Sequence, residues 1–341
     1  MSSAEKWWTK ETVVLVTGAN KGIGFEVARQ LCEKGLTVIL TARNEERGRA
    51  ALQSLKAQGF QHNLEFFPFD VTSEESACRL VEWIKHTHGK LDILINNAAL
   101  NGTKIDMDYL KAHQISLYEA MINDSITEAF TVDYETAKEC IETNYFGVKR
   151  SIQTLLPLLP PQSRIVNVSS TYGALEKLKD AALREKLSRI EALTEEFIDD
   201  LVYRFLEDVK NGSHPNSNSI WPEKHATYRV SKIALNAYSR LLAQKLAPTD
   251  EKKIIYVNCV HPGFIKTDLI FNEAGASPVV GASNILRVAL LTPPQLPTGQ
   301  IFMEGELGDF ITEWLPDLPK YIIKSELHFY FCCNTTIKYI N

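Results

Sequence analysis

The sequence predicts an α/β protein built on a doubly wound, parallel sheet, and three features carry that prediction. Apolar runs of strand length alternate with helical patterns along the chain. Those runs are nearly continuous in Val, Ile and Leu, as expected of strands buried on both faces. Repeated strand–helix units need crossover connections, and such connections make neighbouring strands parallel.

Taken in order, Thr12–Thr17 (TVVLVT) reads as the first strand and Ile23–Lys34 as a helix with one apolar face. Thr37–Ala42 (TVILTA) is the second strand, and Asn44–Gln58 a charged amphipathic helix. Glu65–Phe69, Leu91–Asn96, Arg164–Ser169 and Ile254–Val260 read as four further strands. Two stretches break the rhythm. One follows the fourth strand, from about Leu100 to Phe130. The other, about Leu175 to Pro222, is helical: Leu193, Phe197, Leu201, Phe205 and Val209 recur every fourth residue, with Ile198, Val202 and Leu206 beside them. Such a stripe packs on something. The stretch Asn211–Asn218 is a loop by composition. One domain is expected over residues 1–319, and the aromatic, Cys-containing tail 320–341 fits no period.

Composition narrows the class. With 341 residues and 45% hydrophobic content the chain can fill a sizeable core. A net charge of -5 leaves no basic footprint for nucleic acid. No apolar run is long enough for a membrane helix, and MSSAEKWWTK lacks the apolar stretch of a signal peptide, so a cytoplasmic location is expected. Six cysteines without zinc spacing point to core residues rather than a metal site.

The first strand runs into Thr17-Gly18-Ala19-Asn20-Lys21-Gly22-Ile23-Gly24. Gly18 permits a tight turn, Gly22 lets backbone approach a pyrophosphate, and Gly24 allows helix and sheet to pack closely. The helix that follows turns its positive end toward the anion. Such glycines say little alone, but here they join a strand to a helix near the N-terminus. The second strand ends on Ala42-Arg43, where an NAD site wants an acid. A cation there, with Lys21 in the loop, suits the 2′-phosphate of NADP(H).

Tyr228 and Lys232 stand four apart in Ala226–Lys245, which reads as a helix, and so share a face. An ammonium roughly 5 Å from the phenol, at an effective dielectric near 20, favours phenolate by about 3 kcal/mol. Tyr228 can then act as acid or base on a carbonyl or alcohol. The spacing occurs by chance in many helices and gains weight from its company. Ser169-Ser170, Asn96-Asn97-Ala98, Asp70-Val71 and Pro262-Gly263 all end strands. Strand C-terminal ends are where an open α/β sheet builds its site. Asn144 lies in a helix, where propensity disfavours it, so a buried polar role is expected.

In this order, TGANKGIG, DV, NNA, Asn144, VSS, YRVSK and HPG resemble the short-chain dehydrogenase/reductase family over roughly residues 10–305. The resemblance implies a Rossmann-type fold and a catalytic tetrad of Asn144, Ser170, Tyr228 and Lys232, with Lys232 also on the nicotinamide ribose and Asn144 holding a relay water. It implies further cofactor contacts at Gly18, Asn20, Lys21, Gly22, Ile23, Gly24 and Arg43. Others are implied at Asp70, Val71, Asn97, Ala98, Pro262, Gly263, Ile265 and Thr267. The long gap from Ser170 to Tyr228 is similar to that of the monomeric carbonyl-reductase branch, whose helical insertion covers an oligomerisation surface. KGIGFEVARQL, GKLDILINNA and LTEEFIDDLV resemble plant menthone/neomenthol and salutaridine reductases, in which the segment after NNA is a flap over the substrate. One departure is Ala99, where the family has Gly.

The function expected is therefore NADP(H)-dependent reduction of a bulky, apolar ketone by a monomer, with substrate contacts in the flap, the insertion and Phe264–Gly281. The reverse alcohol oxidation uses the same site. Alkene reduction is disfavoured by the intact Tyr228, and a non-catalytic cofactor-binding role by the complete tetrad.

Overall fold

The computed structural model describes residues 6–123, 125–214, 219–248, 253–270, 275–292 and 296–312. The expected tail 320–341 and part of the expected loop near 211–218 lie outside them.

Val13–Val16 (β1), Thr37–Ala42 (β2) and Leu64–Pro68 (β3) are joined by the helices Gly22–Glu33 (α1) and Glu45–Ala57 (α2). Glu74–Thr87 (α3) leads to Ile93–Asn96 (β4). The segment after β4 folds into its own small unit. Lys104–Ile105 (β5) pairs antiparallel with Phe130–Thr131 (β6), around the helices Met107–Ala112 (α4) and Leu117–Ile122 (α5). Sequence periodicity missed this unit because its elements span only two to six residues.

Tyr134–Ile141 (α6) continues through a π-helical turn, Glu142–Phe146, into Gly147–Leu155 (α7). Arg164–Val168 (β7) follows, then the insertion helices Ala181–Ser188 (α8) and Glu195–Lys210 (α9). Ala226–Lys245 (α10), Tyr256–His261 (β8) and Pro278–Ala289 (α11) lead to the short strands Ile301–Met303 (β9) and Glu306–Leu307 (β10). The order across the sheet is β10-β9-β8-β7-β4-β1-β2-β3, parallel except for β10. The six expected strands are present. β9 and β10 are additions, too short to show a period.

The order reverses at β1 and β4, whose parallel pairing places Val16 beside Ile95. That switch point opens a crevice at the strand C-termini. Two apolar cores fill the faces of the sheet. One lies under α3, α7 and α10 and includes Ile141, Ile233 and Tyr238. The other lies under α1, α2 and α11 and includes Leu31, Leu55 and Ile285.

The insertion packs as its stripe predicts. Ile198, Leu201, Val202, Phe205, Leu206 and Val209 of α9 are buried in the first core. Trp221 is fully buried against Phe205, with its indole N–H donating to Asp208 at 2.7 Å. Polar bonds pin the helix: Asp199 accepts from the Tyr145 hydroxyl and the Lys149 ammonium, each at 2.7 Å, and Glu195 pairs with Lys245 at 2.7 Å. Among the described residues no helix is long and apolar enough to cross a membrane.

Candidate active site

A cavity of about 730 Å³ opens at the switch point. It is lined by residues from the C-terminal ends of β1, β2, β3, β4, β7 and β8, together with Tyr228 and Lys232 of α10. Its size suits an organic ligand.

The glycine loop forms one rim. Gly18 and Gly22 have φ of +63° and +58°, values that side chains resist. A Cβ on Gly24 would lie 2.4 Å from Asn97 Nδ2 and 2.7 Å from the Gly18 carbonyl, so the third glycine is required by close packing. Asn97 ties β4 to this loop, its Nδ2 donating to the Thr17 and Gly18 carbonyls, while Thr17 Oγ1 accepts from the Asn97 and Ala98 amides. Gly18, Asn20, Lys21, Gly22, Ile23 and Gly24 all line the cavity, as do Asn97 and Ala98. Ala99 lines it too, where the family's glycine was expected.

Arg43 projects from the end of β2 into the same cavity and pairs with Glu139 at 3.2 Å. Lys21 reaches across to Asp268. Both cations are more than half exposed, so each carboxylate is an easily exchanged partner. Arg47 and Asn44 join them, and neither was singled out from sequence. Arg47 stands one helical turn beyond Arg43, a spacing that could have signalled it. Asn44 caps α2, accepting from the Arg47 amide at 2.8 Å. Asp70 and Val71 line the cavity at the end of β3, with Asp70 Oδ1 fixed by the Thr72 amide and hydroxyl. Pro262, Gly263, Ile265 and Thr267 form the opposite lip.

Ser170, Tyr228 and Lys232 converge on the cavity. The Ser170 hydroxyl stands beside the Tyr228 phenol and accepts from the Tyr172 amide at 3.2 Å. Lys232 is 2% exposed, donates to the Val168 carbonyl at 2.8 Å and lies 5.4 Å from the centre of the Tyr228 ring. Burial brings its amine down to about 8. The Tyr228 phenol moves in the direction opposite to the one expected from Lys232. Burial and the nearby Cys140 raise it above the ordinary tyrosine range, while the Ser170 hydrogen bond acts in the other sense. Half-buried at the cavity wall, the phenol loses more by giving up hydration of its anion than a lysine turned toward a carbonyl returns.

Asn144 is fully buried in the π-helical turn and is not part of the cavity wall. Its carboxamide bonds the Leu100 amide at 2.8 Å and the Leu100 carbonyl at 2.9 Å, and its Nδ2 also donates to Ser231 Oγ at 3.0 Å. The side chain thus joins the segment after β4 to the Tyr228 helix.

The substrate-side expectations hold unevenly. Phe264 to Leu269 and Pro278 line the cavity, and so do Leu100 and Asn101 at the root of the flap segment. No residue of the insertion between 175 and 222 lines it among the described residues, because α9 is held on the far side of α6 and α10. Tyr172, four residues beyond β7, is a wall that no periodicity could reveal; the Arg229 guanidinium stacks 4.1 Å from its ring centre. Among the described residues no group of His, Cys, Asp and Glu is placed to hold a metal.

The family model for short chain dehydrogenases matches residues 12–181. Short-chain dehydrogenase/reductase 1 of Saponaria officinalis is 40% identical over 314 residues, covering 91% of this chain and all of that protein. The (+)-neomenthol dehydrogenase of Arabidopsis thaliana is 40% identical over 300 residues, covering 87% of this chain and 97% of its own. The structure of salutaridine reductase from Papaver somniferum superposes with a TM-score of 0.76 at 37% identity, covering 86% of this chain and 99% of that one. The chain belongs to the short-chain dehydrogenase family.

Proposed function

We propose that this protein reduces a bulky, apolar ketone to a secondary alcohol with NADPH. The observation that carries the reading is the convergence of Ser170, Tyr228 and Lys232 on the cavity that the glycine loop also lines. Relatives named as reductases or dehydrogenases of menthone-type and alkaloid compounds support the substrate class.

The residues present fit the cofactor. Lys21, Arg43 and Arg47 offer cationic partners for a 2′-phosphate. The glycine loop, at the start of α1, offers backbone N–H groups for a pyrophosphate. Asp70 and Val71 would hold the adenine, and Pro262, Gly263, Ile265 and Thr267 the nicotinamide end. Bound NADPH supplies the hydride. Ser170 orients the carbonyl oxygen through its hydroxyl, and Tyr228 donates the proton to that oxygen. Burial holds the phenol above its ordinary range, so Tyr228 carries its proton at neutral pH and can donate it. Lys232 holds the ribose and the β7 carbonyl edge, and Asn144 positions the segment after β4. The protein acts as a monomer, because α9 covers the faces of α6 and α10 that another subunit would need.

NADPH oxidation with menthone-type, alkaloid-type and small aromatic ketones tests the reading. Tyr228→Phe should lower turnover by about a thousandfold while NADPH still binds; near-native turnover would refute the proton-donor role.

A further inference from the structure

The segment between β4 and α6 is a body with its own apolar centre, formed by Leu110, Leu117, Ala120 and Ala129. Several of its contacts with the rest of the protein are polar. Leu100 is held by Asn144, and Asn101 Nδ2 donates to the Leu269 carbonyl at 2.8 Å. A third point is Lys224, which is 4% exposed. Its ammonium donates to the Ala120 carbonyl and, at 2.7 Å, to the Asn123 carbonyl, and it lies 4.7 Å from the centre of the Phe130 ring.

These contacts form a composite cation site. The Ala120 carbonyl lies in the last turn of α5, at its negative end, and the carbonyl of the cap residue Asn123 accepts from Lys224 as well as from the Ile126 amide. The ring face of Phe130 adds to the attraction. A buried ammonium needs such partners, and all three come from the segment after β4. Undocking that segment strips Lys224 of them. The next residue, His225, has a left-handed backbone with φ +53°. Its ring lies 4.9 Å from Phe130 and 5.4 Å from Tyr172, and Tyr172 is 6.2 Å from Tyr228. The clamp therefore sits on a continuous line of side chains from the segment, through the cavity wall, to the proton donor.

We propose that Lys224 is a positioning residue that clamps this segment against His225, which backs the Tyr172 wall of the cavity, and so sets a preference for bulky over compact ketones. The inference rests on the ketone-reductase reading for its substrate class. A compact ketone needs Ser170 and Tyr228 alone. A fused-ring ketone reaches toward Tyr172, whose place depends on His225 and, through it, on the docked segment.

The test uses Lys224→Met in the full chain at saturating NADPH. KM for a fused-ring ketone should rise about tenfold, while kcat and KM for cyclohexanone stay within about twofold. Phe130→Leu should shift the same ratio by less. Chymotrypsin should cut the segment between residues 101 and 131 faster in Lys224→Met than in the native chain. An unchanged ratio between the two ketones, or equal losses on both, would overturn the proposal. If the native chain reduces neither ketone, the ketone-reductase reading fails. The proteolysis comparison still decides the clamp, and equal cutting rates would refute it.

Discussion

Lys232 is enclosed at a cost to stability that pH should reveal. Its amine falls from an ordinary 10.5 to about 8 because the side chain is enclosed. Between these two values the unfolded chain binds more protons than the folded one, so stability rises with pH across that window. At pH 7 the ammonium is charged in both states, and the folded protein carries a burial cost of about 3 kcal/mol. At pH 9.5 the folded amine is largely neutral, and the cost falls to about 1 kcal/mol. Lys232→Met keeps the volume and removes the charge. Urea unfolding of both proteins at the two pH values isolates the effect, because every other titrating group is shared. The native chain should gain about 2 kcal/mol relative to Lys232→Met between pH 7 and pH 9.5. The variant should have lost turnover throughout, which makes the lysine a case of function traded against stability. A stability difference that stays constant with pH would show that Lys232 is not desolvated, and the argument for its enclosure would fail.

Three further outcomes follow from the geometry. Arg43→Ala should weaken NADPH binding by about tenfold or more and leave NADH binding within about twofold, measured by cofactor fluorescence titration; equal weakening of both would remove the 2′-phosphate assignment. Asp199→Ala should lower unfolding free energy by about 2 kcal/mol, because the Tyr145 hydroxyl and Lys149 ammonium lose their shared acceptor. The native chain should elute as a monomer in gel filtration, and a dimer that persists on dilution would show that α9 does not occupy the subunit surface.

Much of the site was legible because its residues are tied to strand ends. The loop from Gly18 to Gly24, Arg43, Asp70 and Ser170 each follow a continuous apolar strand, and a parallel sheet brings all such ends to one edge. Tyr228 and Lys232 were legible from helical spacing. The four-residue stripe of α9 announced a packed helix but not its partner, so the expectation that the insertion would line the substrate cavity had nothing to correct it. Only the fold shows α9 on the outer side of α6 and α10.

Other features have no local signature at all. Tyr172 lies in a short turn, and its place in the wall depends on Arg229 and His225, more than fifty positions away along the chain. Lys224 reads as one more surface lysine until α5 is packed over it. The direction in which the Tyr228 phenol moves was also beyond sequence. Spacing supplied the distance to a cation, but burial decided the sign, since desolvation depends on what encloses a group from every side. The sequence by itself determined the sheet, the glycine-loop rim of the cavity and the pairing of Tyr228 with Lys232 on one helix face, because these follow from periodicity and from strand ends. The tertiary structure alone decided enclosure and docking: the burial of Lys232, the hydrogen bonds of Asn144 to Leu100 and those of Lys224 to α5 all arise from contacts between segments remote in sequence.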